Sequence, residues 1–450
     1  MLIKFSVENW MSFREKVEFS MIASRERQHR DRVSLVKKYP FRILPVASIY
    51  GANASGKTNL FKAIYFAKRL IVKGTQQPES QISTKVFLLD PECADQPSKF
   101  YFELLIDEVV YVYQFSVTRK KVVEEKLEII KSSSEKTLFH RMDGTPHFDE
   151  SLAKDPFLNF AFQGTRDNQL FLTNSVSQNV HIFKPVYDWF DKILELVAPD
   201  SRFNPMEIVL NERLIENISK RISQFDTGID RIESIEIPLE KIQSIPKEML
   251  NDLQEEVKEG MIVGLWNEAR AERLLVFRKE GVLYAEKLYS YHPTVDGQTV
   301  QFEIREESDG SQRIIELLPA FIDVSSKSCK RVYLVDEIDR SLHSLITRQL
   351  IGNYLSACSP ESRTQLIFTT HDVLLMDQDL LRRDEMWVVE KNALGASALR
   401  SFSEYRDVRY DKDIRKSYLQ GRLGGIPRIL TNIALGDKCS TDKNRSKDGV

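Results

Sequence analysis

The eight residues GANASGKT, Gly51 to Thr58, decide how this chain is read. They match the pattern G-x-x-x-x-G-K-[ST] in full. Before them runs ILPVASIY (Ile43 to Tyr50), a continuous apolar stretch of the kind that forms a strand buried on both faces. After them, NLFKAIYFAKRLIV (Asn59 to Val72) sets Leu60, Ile64, Ala67 and Ile71 on one helical face. Strand, glycine loop and helix is the context in which the pattern acts as a phosphate cradle. Glycines let backbone N–H groups surround phosphate oxygens, and the helix N-terminus adds a favourable dipole. Gly51, Asn53, Ser55 and Gly56 would shape the loop, Lys57 would reach the β- and γ-phosphates, and Thr58 would ligate Mg²⁺. The plainer alternative is a glycine turn joining a strand to a helix, and the flanking elements weigh against it.

A phosphate cradle of this kind needs acids opposite it. RVYLVDEID (Arg331 to Asp339) is an apolar strand ending in carboxylates. Asp336 would hold Mg²⁺ through water and Glu337 would polarise the attacking water. QLIFTTHD (Gln365 to Asp372) places His371 just past another apolar strand, within reach of a γ-phosphate. Upstream, EESDGSQRIIELL carries Ser308 and Gly310 at the start of a helical run. Alone it reads as a helix cap.

Around these motifs the 450 residues carry 42% hydrophobic and 29% charged side chains with a formal net charge of −2, values of an ordinary globular protein. That balance demands neither nucleic acid nor a membrane surface as partner. Cys93, Cys329, Cys358 and Cys439 are scattered without metal-binding spacing, which suits a reducing compartment. The N-terminal MLIKFSVENWMSF alternates apolar and polar residues and reads as a strand rather than a signal peptide. No run of about 18 apolar residues exists, so no transmembrane helix is expected and the chain reads as cytoplasmic.

Residues 2–9 and 17–22 predict paired strands, and 98–130 an antiparallel meander. TLFHRMDGTPHFDE predicts a hairpin turning at Asp143-Gly144. The charged run from Arg25 to Lys38 reads as a solvated loop, with a loop that contacts phosphate or nucleic acid as the alternative. Residues 153–260 look mainly helical, broken by a strand-like IESIEIP, and 274–292 suggest a hairpin turning near Glu280-Gly281. Strands and helices then alternate from 311, implying a parallel sheet. The tail CSTDKNRSKDGV reads as disordered.

Taken together, the set and order of these motifs resemble ABC-type ATPases of the SMC and OLD kind. GANASGKT looks like their Asn-containing Walker A, SDGSQ like a degenerate signature sequence, VYLVDEID like Walker B with its catalytic Glu, and TTHD like the switch-histidine region. Ser341 to His343 falls where the D-loop lies. More narrowly, FSVENWMSFRE, DEIDRSLH and YLQGRLGGIP resemble the ATPase of two-gene bacterial anti-phage and abortive-infection systems of the AbiL and PARIS type. Three departures stand out. Asp309 and Ser311 replace the commoner glycines of the signature, His343 replaces the usual D-loop Asp, and no Q-loop is obvious. Gln178, in LFLTNSVSQNV, is the candidate Q-loop residue for nucleotide and metal contact; its alternative is a helix-face glutamine.

The resemblance implies an α/β P-loop NTPase with an ABC/SMC-like head: a mixed sheet, an antiparallel β subdomain and a mainly helical inserted lobe. The implied division is 1–180 for the first half of the head, 181–300 for the lobe, 301–430 for the second half and 431–450 for the tail. It also implies ATP and Mg²⁺ as cofactors and a homodimer, or a higher oligomer of dimers, closing around ATP, with Ser308 and Gly310 of one subunit facing the nucleotide held by Lys57 of the other. Control of a separately encoded effector follows from it, a nuclease of the TOPRIM type among the candidates, with a phage product as trigger and no membrane partner. Only about sixty residues follow MWVVE, too few for a TOPRIM domain in this chain, and Asp407, Asp411 and Asp413 read as mixed-charge surface. The second reading is an SMC-like ATPase acting on DNA directly. It expects a basic groove; the missing coiled coil argues against it.

Overall fold

The computed structural model of the protein describes residues 1–131, 134–199, 212–242, 245–267, 272–326, 329–405 and 413–426. At its centre is a six-stranded sheet in the order Leu194–Val197, Val332–Val335, Gln365–Thr369, Val46–Tyr50, Met386–Lys391, Ser397–Ser401. The first five strands run parallel; only the last, Ser397–Ser401, is antiparallel to its neighbour. Val46–Tyr50 is buried at every position, as its unbroken apolar sequence requires. Its side chains alternate between two cores: Ala47 and Ile49 face one, Val46 and Tyr50 the other.

On the first face lie the P-loop helix, Lys57–Lys73, and a seven-stranded antiparallel sheet. That sheet runs Thr145–Phe148, Glu135–Met142, Val122–Ile130, Val109–Val117, Ser98–Ile106, Leu2–Glu8, Val17–Ser20. The expected strand pair, meander and hairpin thus join in one sheet. Asp143 and Gly144 both take positive φ, 44° and 79°, at the expected hairpin turn. Leu60, Ile64, Ala67 and Ile71 of the P-loop helix are all buried, as their spacing predicts. On the second face pack the helices Asp309–Val324 and Ser344–Ala357.

The inserted lobe differs from expectation. The helices Glu212–Ile222 and Lys247–Glu256 are present, but the lobe is built on a five-stranded antiparallel sheet: Arg231–Pro238, Val282–Pro293, Glu272–Lys279 and Ile262–Asn267, with Thr299–Glu303 pairing along Val282–Pro293. It is therefore not mainly helical. The hairpin at Glu280-Gly281 is real, yet its long strand also recruits IESIEIP, fifty residues upstream, and a non-local pairing of that kind leaves no periodic trace. Leu239, Leu253, Leu274, Val276, Leu283 and Ala285 give the lobe a small core of its own.

The charged run Arg25–Lys38 is only partly a solvated loop. Arg32 is 7% exposed and pairs with buried Glu385 at 2.5 Å, while Glu26 accepts from Arg383 at 2.6 Å. Asp413 caps the helix Ile414–Leu419. Asp407, Asp411, Cys439 and the tail lie outside the described residues. No helix among the described residues is long and apolar enough to cross a membrane.

Candidate functional site

The strands Val46–Tyr50, Val332–Val335 and Gln365–Thr369 are parallel neighbours, so their C-terminal ends open on the same edge of the sheet. The P-loop, the acid pair and His371 follow directly from those three ends. This is where open α/β sheets bind ligands.

The loop is tightly built. A Cβ at Gly56, φ 119°, would sit 2.5 Å from Ser397 Oγ and 2.8 Å from Ser12 Oγ; one at Gly51 would strike the Val389 carbonyl. Ser397 Oγ donates to the Ser55 carbonyl at 2.5 Å, and Asn59 Nδ2 donates to Ser12 Oγ at 2.8 Å. Ser55 is 4% exposed with a buried hydroxyl that has no partner, Asn53 is exposed at the tip, and Thr58 is half-buried in the first helical turn.

Lys57 lies across this loop. Its Nζ donates to the carbonyls of Gly51 at 2.8 Å and Ala52 at 3.2 Å and lies 3.5 Å from His371 Nδ1. Burial pushes the ammonium down to about 8, against the pull of Asp336, Glu337 and Asp339. Burial and the Lys57 charge likewise hold His371 below its ordinary value. His371 Nε2 is 4.0 Å from Glu337 Oε1, and its backbone N–H donates to Asp339 Oδ2 at 3.2 Å. Lys57, His371 and Glu337 thus form a row.

Thr369 organises the acids. Its hydroxyl donates to Asp336 Oδ1 at 2.6 Å and accepts the Glu337 N–H at 2.8 Å. Glu337 sits at φ 52°, a strained position for a residue with a side chain, which turns the chain sharply at the strand end. Arg313, 4% exposed, donates to the Glu337 carbonyl at 3.4 Å and pairs with Glu316 at 3.2 Å.

Asp336 is fully buried and its Oδ2 has no protein partner. An orphaned buried carboxylate oxygen beside a P-loop fits a divalent cation reached directly or through water. Thr58 and Asp336 would share such a Mg²⁺ with phosphate oxygens. Among the described residues no cluster of three His, Cys, Asp or Glu side chains could hold a metal ion.

Ser308 caps the helix Asp309–Val324, accepting from Ser311 N–H at 3.1 Å, and is exposed. Gly310 lies against the turn at Ser341: a Cβ there would be 2.9 Å from the Ser341 carbonyl. Among the described residues no hydrogen bond joins Ser308 or Gly310 to the P-loop of the same chain. His343 caps the helix Ser344–Ala357, its Nδ1 accepting from Leu345 N–H at 3.2 Å.

Gln178 is a correction. It ends the helix Phe171–Ser177, whose Thr173 hydroxyl donates to the Ile71 carbonyl, and its amide lies near Gly164. Ile71 belongs to the last turn of the P-loop helix, roughly 20 Å along the axis from Thr58 at 1.5 Å per residue. The helix holding Gln178 therefore packs at the wrong end for contact with nucleotide or metal, and the plainer reading stands.

Ser12, Thr369, Asp339 and Ser397 were not singled out from sequence. Only Thr369, in the doubled threonine before His371, had a visible signal.

The family described as "AAA domain, putative AbiEii toxin, Type IV TA system" matches residues 46–377, and the chain belongs to it. No curated protein matches the chain. Among solved structures it is similar to the SMC head domain from Thermotoga maritima, at 13% identity over 89% of this chain and 98% of that one, with a TM-score of 0.35. It is also similar to an SMC head bound to the C-terminal winged-helix domain of ScpA, at 14% identity over 89% and 97% of the two chains, with a TM-score of 0.36.

Proposed function

We propose that this member of the AAA family binds ATP with Mg²⁺ and hydrolyses it, and that the nucleotide state regulates a separate effector. The observation that carries the reading is the convergence of Lys57, Asp336, Glu337 and His371 from three adjacent strand ends.

In this reading the P-loop N–H groups and Lys57 hold the β- and γ-phosphates. Thr58 and Asp336 would hold Mg²⁺, which would supply charge neutralisation at the phosphates. Glu337 orients and polarises the attacking water, fixed by Thr369 at its N–H and Arg313 at its carbonyl. His371, kept neutral by burial and by the Lys57 charge, would offer an N–H to the γ-phosphate beside Lys57. Most of the catalysis is then positioning and electrostatics.

Exposed Ser308, which among the described residues makes no hydrogen bond to its own P-loop, supports a site completed by a second subunit. Two chains would close around ATP and open after hydrolysis, in a cytoplasmic homodimer or an oligomer of such dimers. The family's description, with its AbiEii toxin and type IV TA system, is what supports a role in anti-phage defence. The effector there would be a separately encoded nuclease, and the trigger a phage product.

The test is light scattering and phosphate release on purified chains. Glu337→Gln with ATP–Mg²⁺ should run as a dimer and release little phosphate, while Lys57→Ala should stay in the apo state. Hydrolysis by Glu337→Gln at the wild-type rate would sink the assignment. Retrieval of a stoichiometric protein from cells carrying the flanking genes would identify the effector.

A further inference from the structure

Along the outer face of the P-loop helix runs a groove of about 520 Å³ that the nucleotide site does not use. Lys62, Arg69 and Lys73 of the helix line one wall, and Lys85 lies across from them. All four are exposed, and none has an ion-pair partner among the described residues. No carboxylate lines the groove. In a chain whose net charge is −2, four free cations around one cavity are a local concentration of positive potential.

Aromatic rings interleave with the cations. Tyr65, 50% exposed, stands between Lys62 and Arg69 on the helix, and Phe66 and Trp10 also line the groove. Trp10 packs on Phe66 at 4.7 Å between ring centroids, and its indole N–H is buried without an acceptor. The groove offers donors and ring faces with no competing acceptor charge. From Lys62 to Lys73 is about 16 Å along the helix at 1.5 Å per residue, long enough for several nucleotides. A second cavity shares Met11 and Lys85 with it and continues past Asn59 to Arg119 and Lys391.

We propose that this groove binds a single strand of nucleic acid, its phosphodiesters on Lys62, Arg69, Lys73 and Lys85 and a base against Tyr65. A positively charged channel with aromatic platforms is how single strands are held without sequence preference. A duplex keeps its bases paired inside the helix and would leave Tyr65 and the cavity unused. An acidic peptide would satisfy the cations and leave the rings unused. Strand binding here needs no ATP, so it stands or falls apart from the ATPase reading.

The test is fluorescence anisotropy of labelled oligo-dT and oligo-U on the full-length chain without nucleotide, across a salt series. The comparison is with Lys62→Glu/Arg69→Glu and with Tyr65→Ala, surface changes checked by thermal melting. The wild type should bind at least one oligonucleotide; which one distinguishes DNA from RNA. The double variant should weaken binding at least tenfold and reduce the slope of log K against log salt by about 1.4, at ~0.7 for each phosphate that no longer meets a cation. Tyr65→Ala should weaken it about tenfold, as expected when one base has no ring to stack on. Neither variant should alter ATP turnover measured without nucleic acid. Binding of neither oligonucleotide at low salt, or equal binding by wild type and the double variant, overturns the proposal. So does a poly-glutamate peptide that competes fully while Tyr65→Ala has no effect, an outcome that assigns the groove to an acidic protein segment.

Discussion

Lys57 Nζ and His371 Nδ1 stand 3.5 Å apart at the mouth of the P-loop, one from the helix and one from the neighbouring strand end. The ammonium is depressed to about 8 by burial, and the imidazole is held below its ordinary value by burial and by that same ammonium. Near neutral pH the pair is therefore Lys57 charged and His371 neutral, the state in which they do not repel each other.

ATP should reverse the shift on Lys57. A γ-phosphate beside the ammonium favours its charged form, so the bound pKa rises above the free value. Below about pH 8 the free protein is already protonated and affinity is flat with respect to this group. Above it, binding must take up a proton, and affinity should fall by up to ~tenfold per pH unit, until the bound-state pKa is reached. Calorimetry of ATP–Mg²⁺ binding at pH 7, 8 and 9, in two buffers of different ionisation enthalpy, reads both the affinity and the proton. Affinity unchanged between pH 8 and 9 with no proton uptake would place Lys57 away from the phosphate.

Thr369→Val tests the organisation of the acids. Valine keeps the shape and removes the hydroxyl that serves Asp336 and the Glu337 N–H. Leaving buried polar groups unpaired costs about 1–3 kcal/mol, so the apo protein should melt several degrees lower. Turnover should also fall, by on the order of tenfold or more, because the Glu337 N–H loses its partner. If melting drops and turnover per folded molecule does not, Thr369 supports the sheet and has no share in positioning Glu337.

Much of this site was legible in the sequence because it obeys local rules. GANASGKT lies between a buried strand and an amphipathic helix, and an apolar strand ending in Asp336-Glu337 marks where its acids leave the sheet. What stayed hidden depends on partners distant in the chain. Ser12 and Ser397 meet at Gly56 across 385 residues, and nothing near either serine marks it as a P-loop support. Arg32 and Glu385 are an ion pair whose halves each look like surface charge. Gln178 misled for the converse reason: glutamine after an apolar segment is a local pattern, while reaching the nucleotide is a matter of which end of the P-loop helix that segment packs on.

Gly310→Ala probes the contact between the helix Asp309–Val324, the proposed signature helix, and the turn at Ser341. The added Cβ would stand 2.9 Å from the Ser341 carbonyl, which is backbone and cannot swing aside. Helix propensity favours alanine by about 1 kcal/mol, and overpacking of this kind costs about 1–3 kcal/mol, so the net effect on melting should be small and downward. The larger effect should be on the ATP-induced dimer, since the Gly310 approach sets how close the start of this helix lies to the Ser341 turn. Light scattering on Gly310→Ala in the Glu337→Gln background should show a weakened dimer. An unaltered dimer would mean that this face takes no part in association.

The lobe is tied to the signature through Glu307. Its Oε1 accepts from Ser290 Oγ at 2.5 Å and lies 2.6 Å from His292 Nε2, both on the long strand Val282–Pro293, and Ser308 is the next residue. Gln312 Nε2 donates to the Glu307 carbonyl at 2.8 Å, so the helix start is fixed to the same residue from its other side. Any displacement of the lobe's sheet must therefore pull on the start of the signature helix. Glu307→Gln removes the charge and keeps the size. Charge-assisted hydrogen bonds contribute about 1.5–3 kcal/mol, so the variant should loosen both ends of the link. Hydrogen exchange should rise together in 282–293 and in 308–318, with ATP affinity unchanged because the P-loop is untouched, and turnover should fall. Faster exchange in the lobe strand alone, with the signature helix and turnover as in the wild type, would show that Glu307 only pins the sheet and transmits nothing.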